Sequence, residues 1–85
     1  MEIIFLPEAE EDLQYWVSTG NKAIVKKIAQ LIEEIKLQPY SGTGKPEPLK
    51  HNLTGAWSRR ISKEHRLVYE VKDDNVLVLS VRGHY

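Results

Sequence analysis

The sequence has no cysteine, no net charge and no long hydrophobic run, and each absence excludes a class of protein. Without cysteine there is no disulfide framework and no thiolate metal site. No apolar segment approaches the length that spans a bilayer, and residues 1–6 are too short and too acidic for a signal peptide. We therefore expect a cytoplasmic protein without membrane contact. Its 85 residues are expected to form one domain, 1–85, with one hydrophobic core.

The charges that cancel overall are unevenly distributed along the chain. Residues 1–34 carry seven acidic residues against three lysines. Residues 45–66 carry six lysines and arginines against two glutamates. A basic region on a neutral protein can hold a polyanion without making the whole surface adhesive. Segment 45–66 is therefore either a polyanion-binding surface or an ordinary solvated face, and its charge alone does not distinguish them.

Proline and glycine are scarce except in the segment Gln38–Gly55. Three of the four prolines and three of the five glycines fall there, which predicts a loop without regular secondary structure. Loops of this length are usually functional or disordered, and the charges within Lys45–His51 favour a functional loop. The stretch Gly42-Thr43-Gly44-Lys45 is not a nucleotide-binding loop, because no strand precedes it and Pro46 follows the lysine.

Outside this loop, the hydrophobic pattern predicts two helices and four strands. Pro7 suits the first turn of a helix that ends near Ser18, and early acidic residues complement the helix dipole. Asn21 is a candidate cap for a second helix, whose apolar residues recur at helical spacing from Ile24 to Ile35. The predicted buried stripe of the first helix is Leu13, Trp16 and Val17. The predicted strands are Glu2–Leu6, Trp57–Ile61, His65–Lys72 and Val76–Arg82.

The last three strands are separated by short turns, which predicts an antiparallel meander with one helix-covered face and one open face. The residues assigned to the helix-covered face are Ile61, Leu67, Tyr69, Val71, Leu77, Leu79 and Val81. The residues assigned to the open, basic face are Arg60, Arg66, Val68, Glu70, Val78, Ser80 and Arg82. The predicted fold class is α+β: an N-terminal strand and a helical hairpin packed on one face of a twisted antiparallel sheet.

Four side chains supply the groups that cleave RNA without a metal ion. The ribose 2'-hydroxyl must lose a proton to attack the phosphate, and Glu47 is the candidate general base. The leaving 5'-oxygen must gain a proton, and His84 is the candidate general acid. Arg66 offers a guanidinium to the charge that develops on the phosphate, and Tyr85 can orient the phosphate or stack on a base. Together they favour an endoribonuclease if the sheet brings them together.

Each of these residues also has an ordinary structural interpretation. Glu47 could be a surface loop residue, and Arg66 could pair only with Glu64 or Glu70. A terminal His-Tyr pair is unremarkable in most proteins. The three histidines, at positions 51, 65 and 84, are not at metal-ligand spacing, so we expect neither a metal nor a cofactor.

The stretch from Gly44 to Tyr69, GKPEPLKHNLTGAWSRRISKEHRLVY, resembles the signature of the YoeB toxins. These toxins belong to the RelE/ParE superfamily of bacterial toxin–antitoxin systems. The early Asp12-Leu13-Gln14-Tyr15-Trp16, the helical IVKKI of residues 24–28 and the terminal His84-Tyr85 match as well. The resemblance covers essentially the whole chain, and it implies a small α+β domain with two helices on an antiparallel sheet.

The resemblance implies metal-independent cleavage of mRNA at the codon in the ribosomal A site, with arrest of translation. Glu47 matches the family's general base, Arg66 its transition-state arginine, His84 its general acid and Tyr85 its terminal aromatic residue. The product would carry a 2',3'-cyclic or 3'-phosphate. The residues expected to contact RNA or the ribosome are Lys45, Lys50, His51, Arg59 and Arg60.

The resemblance also implies partners. The ribosome would present the mRNA, and an antitoxin of the YefM/Phd type would bind through a disordered segment that folds on binding. The family tends to form homodimers, although no stretch of this sequence predicts one. Two alternatives stay open: a toxin that binds a protein target, as ParE-like gyrase toxins do, and a non-catalytic RNA-binding module that uses only the basic face.

Overall fold

In a computed structural model, which describes residues 1–83, two helices pack on one face of a five-stranded sheet with the strand order β1-β5-β4-β3-β2. The predicted α+β fold class is confirmed. The strands are β1 (Glu2–Phe5), β2 (Glu47–Pro48), β3 (Trp57–Arg60), β4 (Arg66–Lys72) and β5 (Asn75–Ser80), and the helices are α1 (Pro7–Ser18) and α2 (Lys22–Leu37). β1 pairs with β5 in parallel, so the sheet is mixed and not wholly antiparallel as expected.

The helices begin and end close to the predicted positions. Pro7 occupies the first turn of α1, and the side chain of Asn21 caps α2 by accepting a hydrogen bond of 3.2 Å from the Ile24 N–H. Trp16 is buried as predicted, but Val17 is 55% exposed, so its assignment to the buried stripe is wrong. No helix within residues 1–83 is long and apolar enough to cross a membrane.

The face of strand β5 that packs against the helices is the opposite of the one predicted. Val76 and Val78 are fully buried in the core, whereas Leu77 pairs with Glu70 on the other face. Uninterrupted apolar residues run from Val76 to Leu79, so the sequence has no alternation that identifies the inward side. A bulge near the end of β5 then shifts the register, because Val68 pairs with Ser80 and Tyr69 with Val78. The core assignments of Leu77 and Leu79 and the open-face assignment of Val78 are therefore wrong; Val81 is buried as expected.

The predicted open face is only partly open. Arg60 and Arg82 are exposed and Arg66 is partly exposed, as the alternation indicated. Val68 and Ser80, assigned to the same face, are each 1% exposed. The accessible arginines of the sheet itself, Arg60 and Arg66, lie on β3 and β4, whereas Arg82 follows β5.

The segment Gln38–Gly55 contains regular structure that was not predicted. Glu47 and Pro48 form the short edge strand β2, whose residues pair with Ser58 and Trp57 of β3. Proline is tolerated at an edge strand because its missing N–H costs no ladder hydrogen bond there. A single 3-10 turn follows at His51–Leu53. The prediction of a wholly irregular loop is therefore wrong, and the correction places Glu47 on the sheet.

The side chain of Arg59 ties the first part of this loop to the core. Arg59 is fully buried on the helix-covered side, and its guanidinium donates to three loop carbonyls, to a carboxylate and to a phenol oxygen. These acceptors are the carbonyl oxygens of Gln38, Ser41 and Thr43, Glu34 Oε1 and Tyr69 Oη. We call Arg59 and these five partners the loop anchor. The expectation that Arg59 contacts RNA or the ribosome is corrected, because its guanidinium is enclosed by its own chain.

Two ionisable groups of the loop anchor have shifted pKa values. Hydrogen bonds from the backbone and side chain of Thr43, with a smaller contribution from Arg59, lower the pKa of Glu34 below its ordinary value of 4.5. Since the folded state lowers this pKa, the contacts stabilise the fold above the ordinary value and are lost as the pH falls through the folded pKa. Burial raises the pKa of Tyr69, although Arg59 opposes the shift, so the phenol remains a neutral acceptor and donor near pH 7.

Gly44 lies between the loop anchor and the candidate site, and we predict that Gly44→Ala destabilises the protein. Its φ is +88°, and an added Cβ would lie 3.1 Å from both the Arg59 Cβ and the Arg60 carbonyl oxygen. We expect a loss of about 1–3 kcal/mol in the free energy of unfolding, measured by urea denaturation. Gly20→Ala is the matched control, because Gly20 has a φ of +73° and nothing within 4 Å of the added Cβ. Equal losses in the two variants would show that the lost stability comes from backbone strain and not from crowding against β3.

Candidate active site

Three adjacent strands bring Glu47, Ser58 and Arg66 together. Glu47 of β2 is directly opposite Ser58 of β3, and Arg66 begins β4 on the other side of β3. Arg66 Nη1 is 2.9 Å from Glu47 Oε1 and donates to Ser58 Oγ at 3.2 Å. The structure therefore unites two of the four predicted catalytic residues across a single intervening strand. The partner of Arg66 is Glu47, and neither Glu64 nor Glu70 is needed to explain its position.

The environment of this pair keeps the arginine ordered and the carboxylate accessible. The Arg66 side chain is 18% exposed and that of Glu47 is 56% exposed. Because the carboxylate end of the pair is open to solvent, which screens the interaction, the ion pair adds little to stability. Its effect is geometric: it holds a carboxylate and a guanidinium side by side at the surface, where a phosphodiester can approach both.

Exposed lysine, arginine and histidine side chains lie in the segments that flank the pair. The Arg60 N–H donates to the Gly44 carbonyl at 2.6 Å, which places Lys45 beside Arg60, and Arg60 is the cross-strand neighbour of Arg66. Lys50 and His51 follow β2 and are likewise exposed. All four residues predicted to contact RNA, apart from the corrected Arg59, are therefore accessible at this edge. These residues are Lys45, Lys50, His51 and Arg60, and their contact with RNA stays a prediction.

The end of the described chain lies beside the same pair. The backbone N–H of Arg66 donates to the Gly83 carbonyl at 2.8 Å, and the Gly83 N–H donates to His65 Nδ1 at 2.9 Å. Both backbone polar groups of Gly83 are therefore hydrogen-bonded in this structure, and the sequence-based hypothesis that Gly83 is mobile stays a prediction. A φ of +87° is the reason for glycine here. His84 and Tyr85, the other two predicted catalytic residues, lie outside the described residues.

Sequence reasoning missed four residues that shape this region: Asp12, Trp16, Ser58 and His65. Ser58 carried no usable signal, because its importance follows from the β2–β3 register. Asp12 and Trp16 are spaced four residues apart, so they share a helical face, and this was the one signal available. Trp16 was assigned only to the core, and His65 was counted only as part of the basic segment. Trp16 is hydrogen-bonded to Val81 and His65 to Gly83, near the end of the described residues.

The arrangement provides acid–base and electrostatic chemistry directly from side chains. A surface carboxylate can accept a proton, and the adjacent guanidinium can stabilise an anionic phosphorane-like transition state. Within residues 1–83, no group of three or more His, Asp or Glu side chains is arranged to hold a metal ion. The site is therefore best described as a carboxylate–guanidinium pair in a cationic surround.

Comparison with known proteins identifies the family. The family described as "YoeB-like toxin of bacterial type II toxin-antitoxin system" matches residues 5–85. This chain belongs to the YoeB toxin family. The toxin is 54% identical to Toxin YoeB of Escherichia coli (strain K12) over 85 residues, which is the full length of both chains. It is a toxin of the type II toxin–antitoxin class.

Two solved structures place the fold in the same family. A YoeB dimer from Staphylococcus aureus is 46% identical and superposes with a TM-score of 0.91, covering 100% of this chain and 98% of the other. A YoeB–YefM complex from the same organism is 48% identical with a TM-score of 0.89, again covering 100% and 98%. The resemblance recognised in the sequence is thereby confirmed for both family and fold.

Proposed function

We propose that this YoeB-family toxin is an endoribonuclease that cleaves mRNA in the A site of the ribosome and so stops translation. The observation that carries the proposal is the 2.9 Å contact between Glu47 Oε1 and Arg66 Nη1 at an accessible, cationic edge of the sheet. RNA cleavage by attack of the neighbouring 2'-hydroxyl needs a base, an acid and a stabilising cation. Membership in a family of toxins supplies the biological setting.

The proposed mechanism assigns one step to each of four residues. Glu47 removes the proton of the 2'-hydroxyl as that oxygen attacks phosphorus. Arg66 turns its guanidinium from the resting carboxylate to the equatorial phosphate oxygens as their charge develops. His84 protonates the departing 5'-oxygen, and Tyr85 orients the phosphate or stacks on a base. The atoms balance with a 2',3'-cyclic phosphate and a free 5'-hydroxyl as products, and no metal ion is required.

The ribosome and the mRNA are the proposed macromolecular partners in this reaction. The exposed cations Lys45, Lys50 and Arg60 provide the charge complement of an RNA backbone around the site, and the exposed His51 lies next to Lys50. Since translation takes place in the cytoplasm, the toxin would act there. Presentation of the codon by the ribosome would supply the precise alignment that a shallow surface site cannot impose by itself.

A YefM-type antitoxin and a second copy of the chain are the proposed protein partners. The S. aureus relative has been solved both as a YoeB–YefM complex and as a YoeB dimer. With 48% identity and full coverage, the surface of this toxin is close enough to make both associations the expected ones. An acidic antitoxin segment would complement the cationic edge and cover the site.

The proposal predicts a cut within the A-site codon of a defined mRNA in a purified translation system. Wild-type toxin should produce the cut, detected by primer extension, and His84→Ala should lose most of it. An mRNA that carries a 2'-deoxynucleotide at the cut position should resist cleavage completely, because the nucleophile is missing. A cut in the deoxy mRNA would refute the 2'-hydroxyl mechanism. Arrest of translation without any cut would favour a protein target instead.

A further inference from the structure

Helix α1 holds the chain just before its last residues, through contacts that the proposed mechanism does not use. Asp12 Oδ2 accepts a hydrogen bond of 3.1 Å from the Val81 N–H, and Trp16 Nε1 donates one of 2.9 Å to the Val81 carbonyl. Asp12 and Trp16 lie one helical turn apart, so they face the same strand. Both backbone polar groups of Val81 are therefore hydrogen-bonded to side chains of α1. In a regular strand, the backbone of a neighbouring strand would make these hydrogen bonds.

His65 holds the chain two residues later. Its Nδ1 accepts a hydrogen bond of 2.9 Å from the Gly83 N–H. The His65 ring packs edge-on against Trp16, with ring centroids 4.7 Å apart and an interplanar angle of 79°. The contacts to Val81 and to Gly83 therefore form one connected unit. We call Asp12, Trp16 and His65 the tail clamp.

A third residue of α1, Tyr15, contacts the same segment from outside the clamp. The Arg82 guanidinium lies over the Tyr15 ring, with Cζ 3.9 Å from the ring centroid. A cation–π contact at an exposed position is worth about 0.5–1 kcal/mol. Residues 81, 82 and 83 are thus each held by at least one side chain.

We propose that the tail clamp is a positioning device that fixes where Gly83 lies, and in which direction the chain leaves it, relative to the Glu47–Arg66 pair. The inference rests on the proposed function and deepens it. His84 follows Gly83 directly, and a general acid must come within hydrogen-bond reach of its leaving group. Since a misplacement of about 1 Å can cost about 100-fold in rate, the direction in which Gly83 delivers the chain matters for catalysis. The clamp residues themselves touch no reacting atom.

The clamp is tested with pairs of variants that remove or keep one acceptor. His65→Ala removes the acceptor for Gly83, whereas His65→Asn keeps one near the position of Nδ1. Asp12→Ala and Asp12→Asn make the same comparison at Val81. With saturating ribosomes, we expect each alanine variant to lower kcat about 10- to 100-fold without changing KM, and each asparagine variant to restore most of the rate.

A stability control separates positioning from simple unfolding. Ile28→Val shortens a buried residue of α2 that has no part in the clamp, and it should cost about 1 kcal/mol of stability. Its kcat should equal that of the wild type if the lost rate of the alanine variants reflects position. A wild-type kcat in His65→Ala, or an effect confined to KM, would overturn the proposal.

Nuclear magnetic resonance of the free toxin tests the clamp without relying on cleavage. The N–H···N bond from Gly83 to His65 should give a ¹⁵N–¹⁵N coupling across the hydrogen bond in the wild type and in no His65→Ala sample. The same variant should shift the amide resonances of Gly83 and His84, and His65→Asn should shift them less. If wild-type toxin cuts no mRNA, the proposed function fails and these shifts alone decide: changed His84 resonances support the clamp, and unchanged ones overturn it.

Discussion

Replacing Arg66 with alanine is expected to lower the rate of mRNA cleavage about 100- to 1,000-fold while the protein stays folded. The guanidinium is the one described cation that lies beside the candidate base, with Nη1 2.9 Å from Glu47 Oε1. Removing a donor aimed at developing charge costs transition-state stabilisation directly. The fold should tolerate the change, because a solvent-accessible ion pair contributes at most about 1 kcal/mol.

The measurement is single-turnover cleavage on programmed ribosomes, with two comparison variants. Arg66→Lys keeps the charge but loses the planar fork that can bind two phosphate oxygens, so its rate should fall between those of wild type and Arg66→Ala. Lys72→Ala removes one positive charge from the far end of the same strand. If Lys72→Ala slowed cleavage as much as Arg66→Ala, net charge and not a placed guanidinium would explain the effect, and the assigned role would be wrong.

Local patterns were sufficient to predict the helices because each boundary has a chemical marker. Pro7 can begin a helix but not continue one, and Asn21 offers a side-chain acceptor to the first turn of the next. Val17 was misassigned since an apolar residue next to Trp16 looks buried in sequence, although it lies 100° further around the helix. Packing against the sheet, which the sequence does not display, decides which side is covered.

The strands of the sheet could be predicted in outline, but not which side chains of β5 point towards the helices. In β5 all residues from Val76 to Leu79 are apolar, so inward and outward positions look alike. The bulge between β4 and β5 also shifts the pairing of the two strands, and the hydrophobic pattern of the sequence does not reveal this shift. The parallel pairing of β1 with β5 was also invisible, because it joins the two ends of the described chain. Non-local pairing is specified by the whole core and not by any one segment.

The candidate site was predicted residue by residue, but for different reasons at each position. The chemical types of Glu47 and Arg66 suggested a base and a cation, and the family resemblance named both. Their proximity depends on β2, a strand of two residues within a proline-rich segment that the sequence analysis predicted to be irregular. Arg59 shows the converse error, since an arginine next to another arginine was taken as surface charge. A strand places adjacent residues on opposite faces, so Arg60 faces water and Arg59 faces the core.

Replacing Arg59 with methionine should therefore destabilise the protein by about 3–5 kcal/mol, the largest effect on stability that we expect from a single substitution. Methionine fills similar space but donates no hydrogen bond. The carbonyl groups of Gln38, Ser41 and Thr43 would lose their donor in a partly buried environment, and backbone carbonyls cannot be substituted to compensate. For a domain whose total stability is about 5–15 kcal/mol, such a loss is severe. Urea denaturation monitored by tryptophan fluorescence measures it.

Arg60→Met is the matched control, because the same substitution one residue along the strand removes an exposed arginine. Its cost should stay within about 0.5 kcal/mol, as for other surface changes. Arg59→Lys should be intermediate, since an ammonium has three donors for five acceptors and lacks the fork geometry. Equal losses for Arg59→Met and Arg60→Met would refute the loop anchor. A difference of several kcal/mol between the two losses of stability would show that the neighbouring arginines have different roles. Arg59 holds the loop that leads to Glu47, whereas Arg60 is exposed at the cationic edge.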